Sequence, residues 1–150
     1  MSLEKDINQK EFRNEYQKGI INLIYTYNWM NEKMKFFFDK ENITEQQYNI
    51  LRILKGAAEP ISTLQIRERM LDKMSDTSRI VDRLVIKGHV KKNTCKADKR
   101  LVDVSITQKG IKLLESFKKY ESEMDAVVSN LSETEIKTLN KLLDKLRQSR

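Results

Sequence analysis

The chain has 150 residues, a third of them charged, and a formal net charge of +7, so one domain with a real core is the default expectation. A lone cysteine, Cys95, excludes an internal disulfide, and a lone histidine, His89, leaves too few ligands for a Cys/His zinc site. No apolar run approaches the roughly 20 residues of a membrane span, and the start of the chain lacks a signal-peptide core, so a cytoplasmic protein without a membrane partner is expected.

Four glycines and one proline favour a mainly α fold over a sandwich or barrel, which needs many turns. The basic balance points to a polyanionic partner, usually nucleic acid and sometimes an anionic membrane. A merely soluble basic protein is the bland alternative, and only the distribution of charge decides between them.

Residues 1 to about 10 are polar and aperiodic, which predicts a frayed lead-in. From about 11 to 40, Phe12, Tyr16, Ile20, Leu23, Tyr27, Met30, Met34 and Phe37 recur at three- and four-residue steps. That spacing predicts one long amphipathic helix. Ile21, Ile24 and Phe38 widen its stripe, so it needs a partner: the core or a second subunit. Its aromatic group (Tyr25, Tyr27, Trp29, Phe36, Phe37 and Phe38) suits core and dimer packing, or the lining of a ligand cavity.

Thr44 with Gln47 forms a capping box for a second helix, whose buried face is Tyr48, Leu51 and Leu54 and whose end is Gly56. Ser62 with Gln65 repeats the device for a short helix in which Leu64, Ile66 and Met70 pack. Ser75 is the expected N-cap of the next helix, about 75 to 87. Placed at 100° steps, Thr77, Ile80, Val81, Leu84 and Val85 share one arc and face the core. Ser75, Arg79, Asp82, Arg83 and Ile86 share the opposite arc, with Ser78 at its edge. Two arginines and hydroxyls there can clamp phosphates or read guanine, because the guanidinium fork bonds O6 and N7 together. Backbone N–H groups at the helix start add donors for a phosphate. Asp82 repels phosphate, so it is expected to orient an arginine. A charged, solvated face is the other reading of this arc.

Gly88 ends that helix, and two strands follow, about 89–95 and 101–106. Lys91, Lys92, Lys96, Lys99 and Arg100 surround a tip with Asp98 as its single acid. A folded cationic hairpin behind a reading helix fits minor-groove or backbone contact with DNA, and Asp98 can hold Arg100 in a fixed pose. Cys95 beside Lys96 is either an incidental strand residue or a thiolate sensor. Thr107 caps another helix with a stripe from Ile111 through Leu114, Phe117, Tyr120 and Met124 to Val127 or Val128. Ser132 and Glu135 open the last helix, which carries Ile136, Leu139, Leu142, Leu143 and Leu146.

The two ends carry more apolar surface than a small reading head can bury, which a helical dimer interface explains. Phe12, Tyr16, Ile20, Leu139, Leu142 and Leu146 are its candidate residues. The expected plan is a single domain over 1–150, with a winged helix-turn-helix at about 43–107 and dimerisation helices at about 11–40 and 108–147. No convergent acids with a histidine, phosphate loop or metal cluster supports an enzyme, and no cofactor is expected.

The order of parts resembles the MarR family of bacterial transcription regulators over about residues 11–147. The matching residues are Thr44-xx-Gln47, Leu51 and Leu54; Ile61-Ser62-xx-Gln65; Ser78 to Leu84 with Lys87 to Val90; Asp98-Lys99-Arg100; and Val104 to Gly110, with Ile106 in place of a leucine. The resemblance implies a homodimer that sets one reading helix per subunit in the major groove of a palindromic operator, with Arg100 in the flanking minor groove. It implies a repressor, nucleoid-associated while bound, released by a small lipophilic or phenolic effector or by oxidation. Such ligands tend to sit between the dimerisation helices and the reading head. The peroxide-sensing branch carries its cysteine in the first helix, where this chain has none, and a single His89 argues against the zinc-sensing branch. The expected DNA contacts are Ser75, Ser78, Arg79 and Arg83 on the helix, Lys96, Asp98, Lys99 and Arg100 on the wing, and Ser62 at the backbone. A docking module for another protein on the same scaffold is the competing reading, as is a redox-responsive regulator using Cys95.

Overall fold

Three Ser/Thr-x-x-Gln/Glu boxes start three helices, and in each the hydroxyl accepts from the backbone N–H three residues on while the longer side chain returns to the cap. These lie in a computed structural model of the protein that describes residues 2–94 and 102–148. The helices are α1 (Leu3–Asp6), α2 (Glu15–Lys40), α3 (Glu45–Gly56), α4 (Thr63–Arg69), α5 (Thr77–Ile86), α6 (Gln108–Ser116), α7 (Glu121–Ala126) and α8 (Glu133–Arg147). Strands β1 (Ile61–Ser62), β2 (Val90–Thr94) and β3 (Val102–Ile106) form an antiparallel sheet in the order β1-β3-β2. A mainly helical chain with a small wing sheet is the expected fold class. The chain divides into two compact units, Met1–Lys118 and Lys119–Arg150.

In the first unit the core is aliphatic: Ile50, Leu51 and Leu54 of α3, Ile66 and Met70 around α4, Val81 and Leu84 of α5, and Val90 and Val104 of the sheet are buried. Burying each such side chain contributes about 1.5–3 kcal/mol. An aromatic cluster extends this core. Phe38 at the end of α2 lies 5.3 Å from Tyr48 and 5.7 Å from Phe117, and Tyr48 and Phe117 are 4.5 Å apart. It fixes the last turn of α2 to the head, while most of α2 upstream is exposed.

Several boundaries differ from those expected. The lead-in contains the turn α1, with Leu3 buried and Glu4 paired to Lys18 at 2.6 Å. The long helix starts at Glu15, capped by Asn14, so Phe12 precedes it. β1 was not expected; Ile61 pairs with Val104 and Ser62 with Asp103. Leu64 is 63% exposed rather than packed, and Val85 is 37% exposed rather than core. Gly56 is the last residue of α3, and the left-handed residue beyond it is Ala58, at φ 60°. The single helix expected after Thr107 is α6, a 3-10 turn (Phe117–Tyr120) and α7. In the second unit α8 begins as expected, and none of its described residues is buried.

Candidate nucleic-acid interface

The candidate reading helix α5 is held from three sides, by α3, α4 and β2. Its inner arc is anchored by Thr77, Val81 and Leu84, all buried, with Ile80 half-buried. Ser78, Arg79, Asp82, Arg83 and Ile86 face outward and are exposed. The 100° spacing thus separates the two faces as expected, Val85 excepted.

At its C-terminal end the chain reverses at Gly88, whose φ of +76° is costly for any residue with a Cβ. The Gly88 and His89 N–H groups donate back to the carbonyls of Val85 and Leu84 at 2.9 and 3.0 Å. That satisfies the last turn in a Schellman motif. The start of α6 closes over this reversal. Thr107 donates its backbone N–H to the His89 carbonyl and its hydroxyl to the Gly88 carbonyl, at 3.0 and 2.7 Å. Gly110 permits the approach, because a Cβ there would lie 2.3 Å from the His89 carbonyl oxygen. His89 Nδ1 is buried without a partner among the described residues. Burial, then the charges of Lys109 and Lys87, push its pKa below the ordinary histidine value.

At its N-terminal end the cap is Asp76, not Ser75: the Asp76 carboxylate accepts the Arg79 N–H at 3.2 Å. An acid at this point disfavours a phosphate on the helix axis, so the expected anion site at the helix start is taken by the chain itself. Ser75 lies in the preceding turn and donates its hydroxyl to the Asp72 carbonyl at 2.8 Å. Between α4 and this end lies an open cleft of about 380 Å³ lined by Thr63, Leu64, Arg67, Ser75, Thr77 and Ser78, with Asp76. Arg67 and Thr63 were not singled out in the sequence; Thr63 directly follows the Ser62 cap, and Arg67 lies further along the same helix. Ser62 itself is engaged in capping, with its hydroxyl accepting from Gln65 N–H at 3.2 Å.

The wing strand is tied to the reader. Lys92 of β2 forms an ion pair with Asp82, so Asp82 orients a lysine of the strand rather than an arginine of its own helix. Lys91, Lys92, Asn93 and Thr94 are all exposed beside the arc. Cys95, Lys96, Asp98, Lys99 and Arg100 lie outside the described residues.

A second cavity, about 550 Å³, opens where α2 meets the head. Tyr27 and Met30 of α2 form one wall, Gln46 and Asn49 of α3 another, and Met70, Leu71 and Lys73 the third. Its volume suits a small organic ligand, and its lining sets Tyr27, Met30, Met70 and Leu71 beside the polar Gln46 and Asn49 and the charged Glu45, Asp72 and Lys73. Among the described residues no cluster of His, Cys, Asp and Glu could hold a metal, and no helix is long and apolar enough to cross a membrane.

A buried-backed reading helix, a cationic strand beside it and a three-stranded sheet define a winged-helix DNA-binding regulator. The MarR family model matches residues 43–102, from the start of α3 through the wing. The HTH-type transcriptional regulator MhqR of Bacillus subtilis is 28% identical over 132 residues, covering 86% of this chain and 89% of that protein. A mutant MarR from E. coli solved with operator DNA superposes at a TM-score of 0.80, with 25% identity over 93% of this chain and all of that one. An organohalide-sensing regulator bound to 2,4-dichlorophenol shares the fold at a TM-score of 0.82 and 17% identity, over 93% of this chain and 85% of that one. Over residues 43–102, its winged-helix region, the chain matches the MarR family, whose members are transcription regulators and not enzymes.

Proposed function

We propose that the protein is a cytoplasmic repressor that binds a palindromic operator as a homodimer and leaves it when a small lipophilic or phenolic molecule occupies the cavity at the base of α2. The carrying observation is the outer arc of α5. Ser78, Arg79 and Arg83 stand exposed over a buried inner face, with β2 tied alongside by the Asp82–Lys92 pair. Arg79 and Arg83 supply base or phosphate contacts, and Ser75 and Ser78 supply backbone contacts. Ser62 contributes mainly by fixing the start of α4. Lys96, Lys99 and Arg100, with Asp98 as orienter, are assigned to the flanking groove from their sequence alone.

The dimer is supported by the exposure of two terminal helices. Tyr16 is 83% and Leu142 58% exposed, and Ile20, Leu139 and Leu146 are exposed with them. The effector is supported by the cavity's volume and lining, and by the phenol that the organohalide-sensing protein binds.

Selection of bound DNA from a random pool tests this reading, with and without 2,4-dichlorophenol and a peroxide arm for Cys95. An inverted repeat with half-sites about one helical turn apart is expected. Arg79→Ala and Arg100→Ala should each weaken the selected site by about 1–3 kcal/mol at fixed salt if they contact bases. No enrichment, or equal affinity for selected and random DNA, overturns it in favour of a docking module.

A further inference from the structure

The cavity and the reading helix share a wall. α4 ends at Arg69, so the Leu71 N–H has passed beyond the helical ladder and needs another acceptor. It finds Asn49 Oδ1 of α3 at 2.9 Å, a bond that spans 22 residues. Asn49, Met70, Leu71, Asp72 and Lys73 all line the cavity. From there an unbroken set of short bonds runs to the reader. The Asp72 carboxylate accepts the Met74 N–H at 3.0 Å, and its carbonyl accepts the Ser75 hydroxyl at 2.8 Å. The Ser75 carbonyl accepts the Thr77 N–H at 3.0 Å, and Asp76 caps the helix. Only six residues lie between the cavity wall at Met70 and the first residue of α5, Thr77.

We infer that Asn49 is a positioning residue that couples this cavity to the reading helix: its amide holds the turn in the DNA-binding register, and an occupant of the cavity releases it. The inference rests on the proposed regulation and adds the residue through which it acts. The cavity's third wall is the turn itself, so an occupant that pushes on Met70 and Leu71 acts directly on the Leu71–Asn49 bond. Once that bond opens, no other side-chain hydrogen bond among the described residues ties Leu71 to α3, and the cap at Asp76 is free to shift. Coupling then follows from one hydrogen bond with two states rather than from a diffuse pathway.

A double-mutant cycle tests it without an identified effector. Gln46→Trp fills the cavity from α3, and Met30→Trp fills it from α2. Asn49→Leu removes the acceptor, Asn49→Ser is the second such variant should leucine disturb folding, and Asn49→Asp keeps Oδ1. Affinity for the selected DNA and amide exchange at Leu71 are read together. Each filler should weaken binding in the wild-type background and have little further effect beside Asn49→Leu. The departure from additivity should be about threefold or more. Leu71 exchange should quicken in the fillers and in Asn49→Leu, and stay slow in Asn49→Asp. A merely structural Asn49 would lower affinity but leave the effects additive within about twofold, which overturns the inference. Should the wild-type chain bind no DNA, the regulatory reading falls first. Leu71 exchange then still decides the link between cavity and turn, since fillers that leave it unchanged overturn that link.

Discussion

The winged head and the terminal helices solve the burial problem differently. In the head, α3, α4, α5 and the sheet close on one another within a single chain, and Ile50, Leu51, Ile66, Val81, Leu84 and Val104 are fully buried. In α2 the stripe is equally apolar, yet burial is confined to Phe37 and Phe38, where the helix reaches the head. α8 repeats the pattern with no buried residue of its own. The same residue types at the same helical spacing therefore do two jobs. Where local neighbours complete the packing they build a core, and where none does they leave a surface suited to a second copy of the chain.

The sharpest way to break that comparison is Leu142→Asp. A charge in the middle of the α8 stripe should leave the head folded and turn a dimer into a monomer by light scattering. Operator binding should fall by about a hundredfold or more, because the second half-site is no longer tethered to the first. A variant that stays dimeric with unchanged affinity would place the interface elsewhere. Next comes Leu84→Ala. Truncating a fully buried side chain under the reading helix should cost about 2–5 kcal/mol in denaturant unfolding. The same change at Leu139, on the exposed stripe, should cost much less in the isolated subunit and show itself only in dimer strength.

Local chemistry made much of this legible in the sequence. The boxes at Thr44, Ser62 and Ser132 each need residues three apart and nothing else, so spacing alone located three helix starts. The two faces of α5 follow from 100° per residue, and Gly88 from the need for a left-handed residue at the helix end. What escaped depends on distant partners. β1 is two residues long and exists because β3, some forty residues later, offers it a ladder. Asp76 displaced Ser75 as the cap because the Ser75 hydroxyl is drawn to Asp72. Either residue is a good cap by type, and only the turn chooses. The Asp82–Lys92 pair required knowing which face β2 turns to the helix. The cavity was expected from family resemblance, while Asn49 carried no signal, since its partner is a backbone N–H 22 residues away.

The smallest expected effect comes from the joint between α5 and α6 inside the head. His89 sits where α5 ends and α6 begins, with Nδ1 buried and Lys87 and Lys109 nearby. Both burial and those charges favour the neutral ring, so its folded pKa lies below the unfolded value of about 6.5. Below pH 6.5 the unfolded chain binds the proton more readily than the folded one, so stability contributed by the neutral ring is present above that pH. It is lost as pH falls through the window between the unfolded and the folded pKa. Denaturant midpoints should accordingly drop as pH falls below about 6.5. His89→Gln should flatten that slope while changing stability little at pH 8. A slope that persists unchanged in His89→Gln would assign the effect to other groups. Because the ring is enclosed by the head alone, the slope should also survive Leu142→Asp. If it did not, the joint at His89 would be sensing the dimer, and the division between a self-sufficient head and its partner-seeking helices would not hold at that point.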